Sequence, residues 1–205
     1  MTLDYDDVIA DRLMLAPAHA GHLPLLRSLI REGASEGSFD PELARNSPES
    51  QLFFANLRQA LLTGYFIVED ARGVIARDSA SGYVYLPADA HEDARPVGFG
   101  LFKAFGAFGY ELWLTAVDPV WRGTGHGRRL LSALFDTPAG RRAWLVRVQR
   151  GNNSAAAMEH LLALNHFVPV RATSSMRWLV RDDAPCGLAD TIRTAPIAPT
   201  PSDFH

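Results

Sequence analysis

A glycine-rich turn at residues 121–131, WRGTGHGRRLL, constrains this chain more than any other feature. It follows an apolar stretch at 110–117 that is rich in strand-forming residues, and it precedes leucines at helical spacing. Its three glycines let a ligand approach the backbone closely, and they leave the first helical N–H groups unpaired. The stretch therefore predicts an anion-binding turn of the kind that holds phosphate groups.

Three types of phosphate-binding loop could form this turn, and the neighbouring residues distinguish them. A Walker loop needs a lysine followed by Ser or Thr after the last glycine, whereas Arg128 and Arg129 stand there. A dinucleotide-binding loop would follow its strand directly and have an acidic residue about 20 residues further on. Four residues intervene here, and the next acidic residue, Asp136, falls at the predicted helix end. The context therefore excludes both of these types.

The third type is carried by Arg122, Gly125 and Gly127, which resemble the acyl-CoA loop of the GNAT-type N-acetyltransferases. That loop has Arg or Gln, two residues, Gly, one residue, then Gly or Ala. The order of the predicted elements over residues 12–181 also resembles the family's order. The resemblance implies an α/β (α+β) GNAT acyltransferase fold, with a mixed, mostly antiparallel central sheet of six or seven strands flanked by about four helices. Residues 1–181 would form this single domain, followed by a Pro/Ala-rich C-terminal tail at 182–205.

Periodicity and turn residues predict the elements of that domain. The predicted strands cover 12–15, 65–68, 83–86, 97–102, 110–117, 143–148, 166–170 and 175–180, and the predicted helices cover 18–32, 50–62 and 130–135, with a further helix starting at 151–154. Residues 87–96 read as an exposed loop without chemistry of its own. The loop at 33–41 borders the acceptor pocket in the family, although a plain surface loop explains it equally well.

The resemblance also implies acetyl-CoA as the co-substrate and no metal. The turn would hold its phosphates, and the arm that carries the thioester would enter where two strands of the sheet splay apart. The implied binding residues are Thr115, Ala116, Val117, Arg122, Gly123, Thr124, Gly125, His126, Gly127, Arg128 and Asn153. Of these, Asn153 is explained equally well as a helix cap.

The reaction implied by the family is acyl transfer to an amine by direct attack on the thioester. The amine must lose a proton, the developing oxyanion needs a donor, and the thiolate needs a proton or a hydrogen bond. Glu111 is the candidate base, at the family's spacing before Arg122, and a solvated or salt-bridged strand glutamate is the alternative. A main-chain N–H near Val117 would serve the oxyanion.

The candidate general acid rests on a weaker match. The family often has a tyrosine seven residues after an asparagine, and His160 stands seven residues after Asn153. An imidazole there could donate a proton near neutral pH. Counting back from His166 and Phe167 reaches Leu162 instead, which cannot donate, so a surface histidine remains the alternative.

Composition limits the partners. The chain has 20 basic and 23 acidic residues, which gives no basic field for nucleic acid. It has no apolar run of about 18 residues, and its acidic first residues are unlike a signal peptide, so we expect a cytoplasmic protein without a membrane partner. The single cysteine, Cys186, excludes an internal disulfide and a cysteine-based metal cluster.

Two functions from different classes fit the sequence. The first is an acetyl-CoA-dependent N-acetyltransferase that acts on a small-molecule or peptide amine. The second is a catalytically inactive acyl-CoA-binding domain that serves as a sensor or interaction module. The tail at 182–205 shows no sustained periodicity and reads as loose. Either the domain's own surface or a second copy would hold it, which leaves a homodimer open.

Overall fold

The computed structural model describes residues 13–69, 75–88, 95–151 and 154–195. Within these ranges the chain forms eight strands and five α-helices. The strands are β1 (Leu13–Pro17), β2 (Tyr65–Glu69), β3 (Ile75–Pro87), β4 (Gly98–Phe105), β5 (Gly109–Val117), β6 (Ala143–Gln149), β7 (Phe167–Ala172) and β8 (Met176–Arg181). The helices are α1 (Leu23–Ser35), α2 (Pro48–Thr63), α3 (His126–Asp136), α4 (Ala155–Ala163) and α5 (Leu188–Thr194).

The strands form one mixed sheet in the order β1-β3-β4-β5-β6-β8-β7, and β2 pairs with β3 outside this path. Every pair is antiparallel except β5 with β6, which are parallel. The helix between β5 and β6 supplies the crossover that a parallel pair requires. The predicted fold class is confirmed, with slightly more strands and helices than the family resemblance implied.

Two apolar clusters cover the two faces of the sheet. On one face, Leu130 and Leu134 of α3 pack with the fully buried Phe102. On the other, Ile30 of α1 and Leu57 of α2 belong to a second cluster. We call these the α3 face and the α1/α2 face. Burial of both faces stabilises the sheet between two helical layers.

Helix boundaries follow local capping, with one exception. The Ser47 hydroxyl accepts the N–H of Ser50 at 3.2 Å, which fixes the start of α2, and Gly64 ends that helix as predicted. The first long helix does not stop at Gly33 but continues to Ser35. A Cβ on Gly33 would lie 2.7 Å from the Phe39 ring, so this glycine permits close packing rather than ending the helix.

Part of the predicted tail is ordered against the domain. Leu188 and Ile192 of α5 are buried with Leu145 and Val180, on the surface of the sheet itself. The expectation of a loose segment is therefore wrong for residues 188–194, while residues 196–205 lie outside the described ranges. None of the described helices combines the length and apolar character needed to cross a bilayer.

Candidate active site

Strands β5 and β6 run side by side briefly and then separate. The paired residues are Tyr110 with Ala143, Glu111 with Leu145, and Leu112 with Val146. Beyond them, residues 114–117 pair with β4 on one side and with no described strand on the other. This stretch is a free sheet edge beside a gap, where an extended ligand could add as a further strand.

The glycine-rich turn follows the end of β5 after a short 3-10 helix at Pro119–Trp121. Gly123 has a φ of 80° and Gly125 a φ of 86°, a region that residues with a Cβ rarely adopt. No described heavy atom lies within 4 Å of where a Cβ on either residue would stand, so the turn is open. Because α3 begins directly after it, at His126, the turn presents a helix N-terminus to an incoming anion.

Two charged side chains tie this turn to the rest of the domain. Arg122 donates from Nε to the Val117 carbonyl oxygen at 3.1 Å and from Nη1 to Glu36 Oε2 at 2.6 Å. Asp118 caps the 3-10 helix and pairs with Arg95, and its side chain is almost fully buried. We expected residues 87–96 to form a loop without chemistry of its own. Arg95 of this segment instead pairs with Asp118 and helps to hold the turn in place.

Glu111 lies on the last rungs before the two strands separate, on the α1/α2 face. It is only 2% exposed. Arg147 of β6 donates from Nε to Glu111 Oε1 at 2.6 Å and from Nη2 to Oε2 at 3.2 Å. The Lys103 ammonium lies 4.0 Å from Oε2. A buried carboxylate therefore stands at the base of the gap, held by a planar guanidinium.

Comparison with known families identifies the chain. The model of the Acetyltransferase (GNAT) family matches residues 46–160, more than half of the chain. This protein belongs to the GNAT acetyltransferase family. A comparison with curated proteins found no match.

Solved GNAT structures share the fold at low sequence identity. A GCN5-related N-acetyltransferase from Kribbella flavida is 17% identical with a TM-score of 0.55, over 84% of this chain and 98% of that one. An acetyltransferase from Thermus thermophilus is 18% identical with a TM-score of 0.54, over 82% and 96%. Spermidine N-acetyltransferase from Vibrio cholerae, in complex with CoA and spermine, is 14% identical with a TM-score of 0.52, over 82% and 94%. These matches establish the GNAT fold.

The structure brings most of the predicted binding residues of this GNAT domain to one place. Residues 115–117 lie on the free edge, and residues 122–125 are exposed in the turn, followed by Gly127 and Arg128 in the first turn of α3. His126 differs from its neighbours because it is buried and meets the Trp121 ring edge-on at 5.2 Å. Its imidazole therefore contributes packing to the turn.

The two residues matched to the family's asparagine and tyrosine, Asn153 and His160, are not placed with the other predicted binding residues. Asn153 lies outside the described residues. His160 is exposed, whereas Met158, Leu161 and Leu162 of the same helix pack into the α3-face cluster. At helical spacing these three leave His160 on the opposite side of α4, turned to solvent. His160 remains a prediction.

Sequence reasoning missed several residues around the site. Arg147 and Lys103 contact Glu111. Glu36 contacts Arg122. At the start of α4, Ser154 Oγ lies 2.7 Å from Ser38 Oγ. One signal for Arg147 was available, because it is a lone charge within the apolar run of β6.

No three described His, Cys, Asp or Glu side chains come together as metal ligands.

Proposed function

We propose that this GNAT protein is an acetyl-CoA-dependent N-acetyltransferase that transfers the acetyl group directly to a primary amine. One observation carries the proposal: the free edge of β5 at residues 114–117 leads toward the open glycine turn, and the buried carboxylate of Glu111 lies just before that edge on the same strand. An acyl carrier needs the first two features, and proton removal from an amine needs the third.

The chain's own residues would bind the co-substrate in two parts. The N–H groups of residues 123–127, with the side chains of Arg122 and Arg128, would hold the phosphates. Backbone groups of residues 115–117 would pair with the amide-bearing arm, as a neighbouring strand does. Acetyl-CoA supplies the activated acetyl group as a thioester. The V. cholerae relative was solved with CoA and spermine, which supports a fold that holds CoA and an amine together.

Glu111 would accept the proton that the acceptor ammonium must lose. Each carboxylate oxygen has two acceptor sites, and Arg147 occupies one on each oxygen. A remaining site on either oxygen can accept from the amine directly or through one water. Because the guanidinium fixes the plane of the carboxylate, the Glu111 oxygens stay oriented at the base of the gap. The amine nitrogen then forms the new bond to the acetyl carbon as the bond to sulfur breaks.

Two further groups complete the proposed chemistry. A main-chain N–H near Val117 would donate to the carbonyl oxygen as negative charge develops there. His160 would supply the proton that the departing thiolate takes up, and its exposure on α4 means that this transfer would pass through solvent.

The test is release of CoA thiol from acetyl-CoA across a panel of amines, with binding of acetyl-CoA followed by calorimetry. We expect turnover with at least one amine, and a loss of about a hundredfold or more in kcat for Glu111→Gln. Glu49→Gln, in an exposed first-turn position of α2, is the matched control and should leave kcat unchanged. Unchanged turnover in Glu111→Gln would remove Glu111 from the role of base.

A second candidate function is an acyl-CoA-binding module without turnover. Two features favour it. Arg147 already donates to both oxygens of Glu111, the candidate base, and α4 turns apolar residues, which cannot donate a proton, toward the sheet. Binding of acetyl-CoA without thiol release from any amine would support this candidate. The variant His160→Gln adds a second measurement, because the loss of a direct general acid would lower kcat by about a hundredfold or more. Its solvent-facing position leads us to expect a smaller loss.

A further inference from the structure

Two arginines of α1 share one side of the helix and one aromatic neighbour. Arg31 lies four positions after Arg27, which places the two side chains one above the other on the helix. The guanidinium carbon of Arg27 lies 5.0 Å from the Phe54 ring centroid, and that of Arg31 lies 5.7 Å from it. The ring of α2 therefore supports both planar cations.

Among the described residues, these two guanidinium groups have no carboxylate partner of the kind that several other arginines have. The Nε atoms of Arg27 and Arg31 and the Nη2 of Arg31 are buried without a hydrogen-bond partner in the described part of the chain. Arg45 and Arg193, by contrast, each pair with a carboxylate one helical turn away. Buried donors without acceptors cost free energy, so a fold that keeps two such cations side by side favours an added anion.

A chain of ring contacts connects the two arginines to the proposed site. Phe54 meets Phe53 edge-on at 5.1 Å, and Phe53 lies 5.4 Å from Trp113. Trp113 is the first residue of β5 beyond the last pair with β6. The Lys103 ammonium is 5.2 Å from the Trp113 centroid and also neighbours Glu111. The two arginines thus lie on the α1/α2 face that leads to the gap.

Charge on this face is unlike that of the whole chain. The protein carries a formal net charge of −3. Along the path from α1 to the gap, the cations Arg27, Arg31, Lys103 and Arg147 stand against the carboxylate of Glu111. The carboxylates at the end of α1, Glu32 and Glu36, are engaged by Arg95 and Arg122, so positive charge remains in excess among these described residues. Such a field repels a polycationic acceptor and attracts one that carries negative charge.

We propose that Arg27 and Arg31 bind an anionic group of the acceptor, so that the substrates are small amines that also carry a carboxylate or a phosphate. This inference rests on the proposed acetyltransferase function. Paired guanidinium groups suit both anions because their N–H donors match the oxygen geometry of either. The aromatic residues between them and the gap would pack against the carbon chain that separates the acceptor's anion from its amine.

The test compares matched amines that differ in the anionic group. ω-Aminooctanoate is set against ω-aminooctanamide, ω-aminooctyl phosphate against ω-aminooctanol, and spermidine serves as the polycationic reference. We expect kcat/KM to be at least about tenfold higher for the anionic member of one pair, since a charge-assisted hydrogen bond is worth that much. The pair that shows the preference distinguishes carboxylate from phosphate.

The variants Arg27→Gln and Arg31→Gln separate binding from folding. Each should raise KM for the preferred anionic amine by about tenfold, with kcat and the KM of the neutral partner nearly unchanged. Arg58→Gln, an exposed position on α2, is the control and should change neither. Intrinsic differences in amine reactivity cancel because each amine is compared between variant and wild type.

The outcomes separate this inference from the proposed function. Equal loss for anionic and neutral amines would mark the arginines as structural and overturn the inference. Faster acetylation of spermidine or the neutral amines would overturn it while leaving the acetyltransferase intact. Absence of turnover with every amine would overturn the proposed function and this inference with it.

Discussion

Arg122 of the glycine turn and Glu36 at the end of α1 form an ion pair, with Nη1 2.6 Å from Oε2. Two residues further on, Ser38 contacts Ser154 at the start of α4. The segment 36–38 therefore links the turn before α3 to the beginning of α4. These contacts connect the loop at 33–41 directly to the proposed co-substrate site.

The Glu36 carboxylate would compete with phosphate oxygens for Arg122. Both side chains are about two-fifths exposed, at 40% and 41%, so solvent screens the pair and its free energy is at most about 1 kcal/mol. We expect Glu36→Gln to tighten acetyl-CoA binding by up to about fivefold in calorimetry. Glu42→Gln, which removes a comparable exposed pair with Arg45, should leave the affinity unchanged. Weaker binding in Glu36→Gln would instead make the carboxylate part of the binding surface.

The backbone conformation of Gly125 provides a second prediction. Gly187 precedes α5 with a φ of 85°, nearly the 86° of Gly125, and both are open to solvent. An alanine at either position should lower the free energy of unfolding by about 1 kcal/mol. Gly125→Ala alone should also weaken acetyl-CoA binding, by about tenfold, because the shifted turn misdirects its N–H donors. Equal affinities in the two variants would contradict a phosphate-binding role for the turn.

The ion pair of Glu111 and Arg147 should contribute to stability as well as to the site. Arg147 is 36% exposed, which reduces the cost of breaking the pair below that of a fully buried one. We expect Glu111→Gln to lower the free energy of unfolding by about 2 kcal/mol in urea denaturation. The double variant with Arg147→Gln should lose less than the sum of the single variants. Strict additivity would mean that the two side chains do not interact.

The short helix α5 should be part of the folded domain. Leu188 is fully buried against the sheet, so Leu188→Ala should lower the free energy of unfolding by about 2 to 4 kcal/mol. The exposed Leu164 offers a control, for which the same substitution should cost less than about 1 kcal/mol. Equal small effects would make the segment a detachable tail.

The parts that the sequence predicts well are those whose signals are local. Residues 110–136 form the strand, turn and helix that apolar periodicity and three glycines indicate. The α5 helix was missed because it shows only two buried apolar positions, Leu188 and Ile192, within two turns. Strand β3 extends well beyond the predicted 83–86 because its polar first half pairs with β2 in a hairpin.

The site network could not be predicted because it depends on contacts between distant strands. Arg147 reaches Glu111 only through the parallel register of β5 and β6, which hydrophobic periodicity does not encode. The buried N–H groups of Arg27 and Arg31 that find no acceptor among the described residues likewise follow from how α1 packs on α2. Local patterns predict the turn that we propose binds phosphate, whereas the proposed acceptor side depends on tertiary packing.

The most direct test of the central claim follows the acetyl group itself. The protein is incubated with acetyl-CoA labelled in the acetyl group and with the best amine of the panel, and the products are identified by mass spectrometry. The account predicts labelled N-acetyl amine in the same amount as free CoA thiol, with both lost in Glu111→Gln while acetyl-CoA still binds. Thiol release without labelled amine, or bound acetyl-CoA that never reacts, would contradict it.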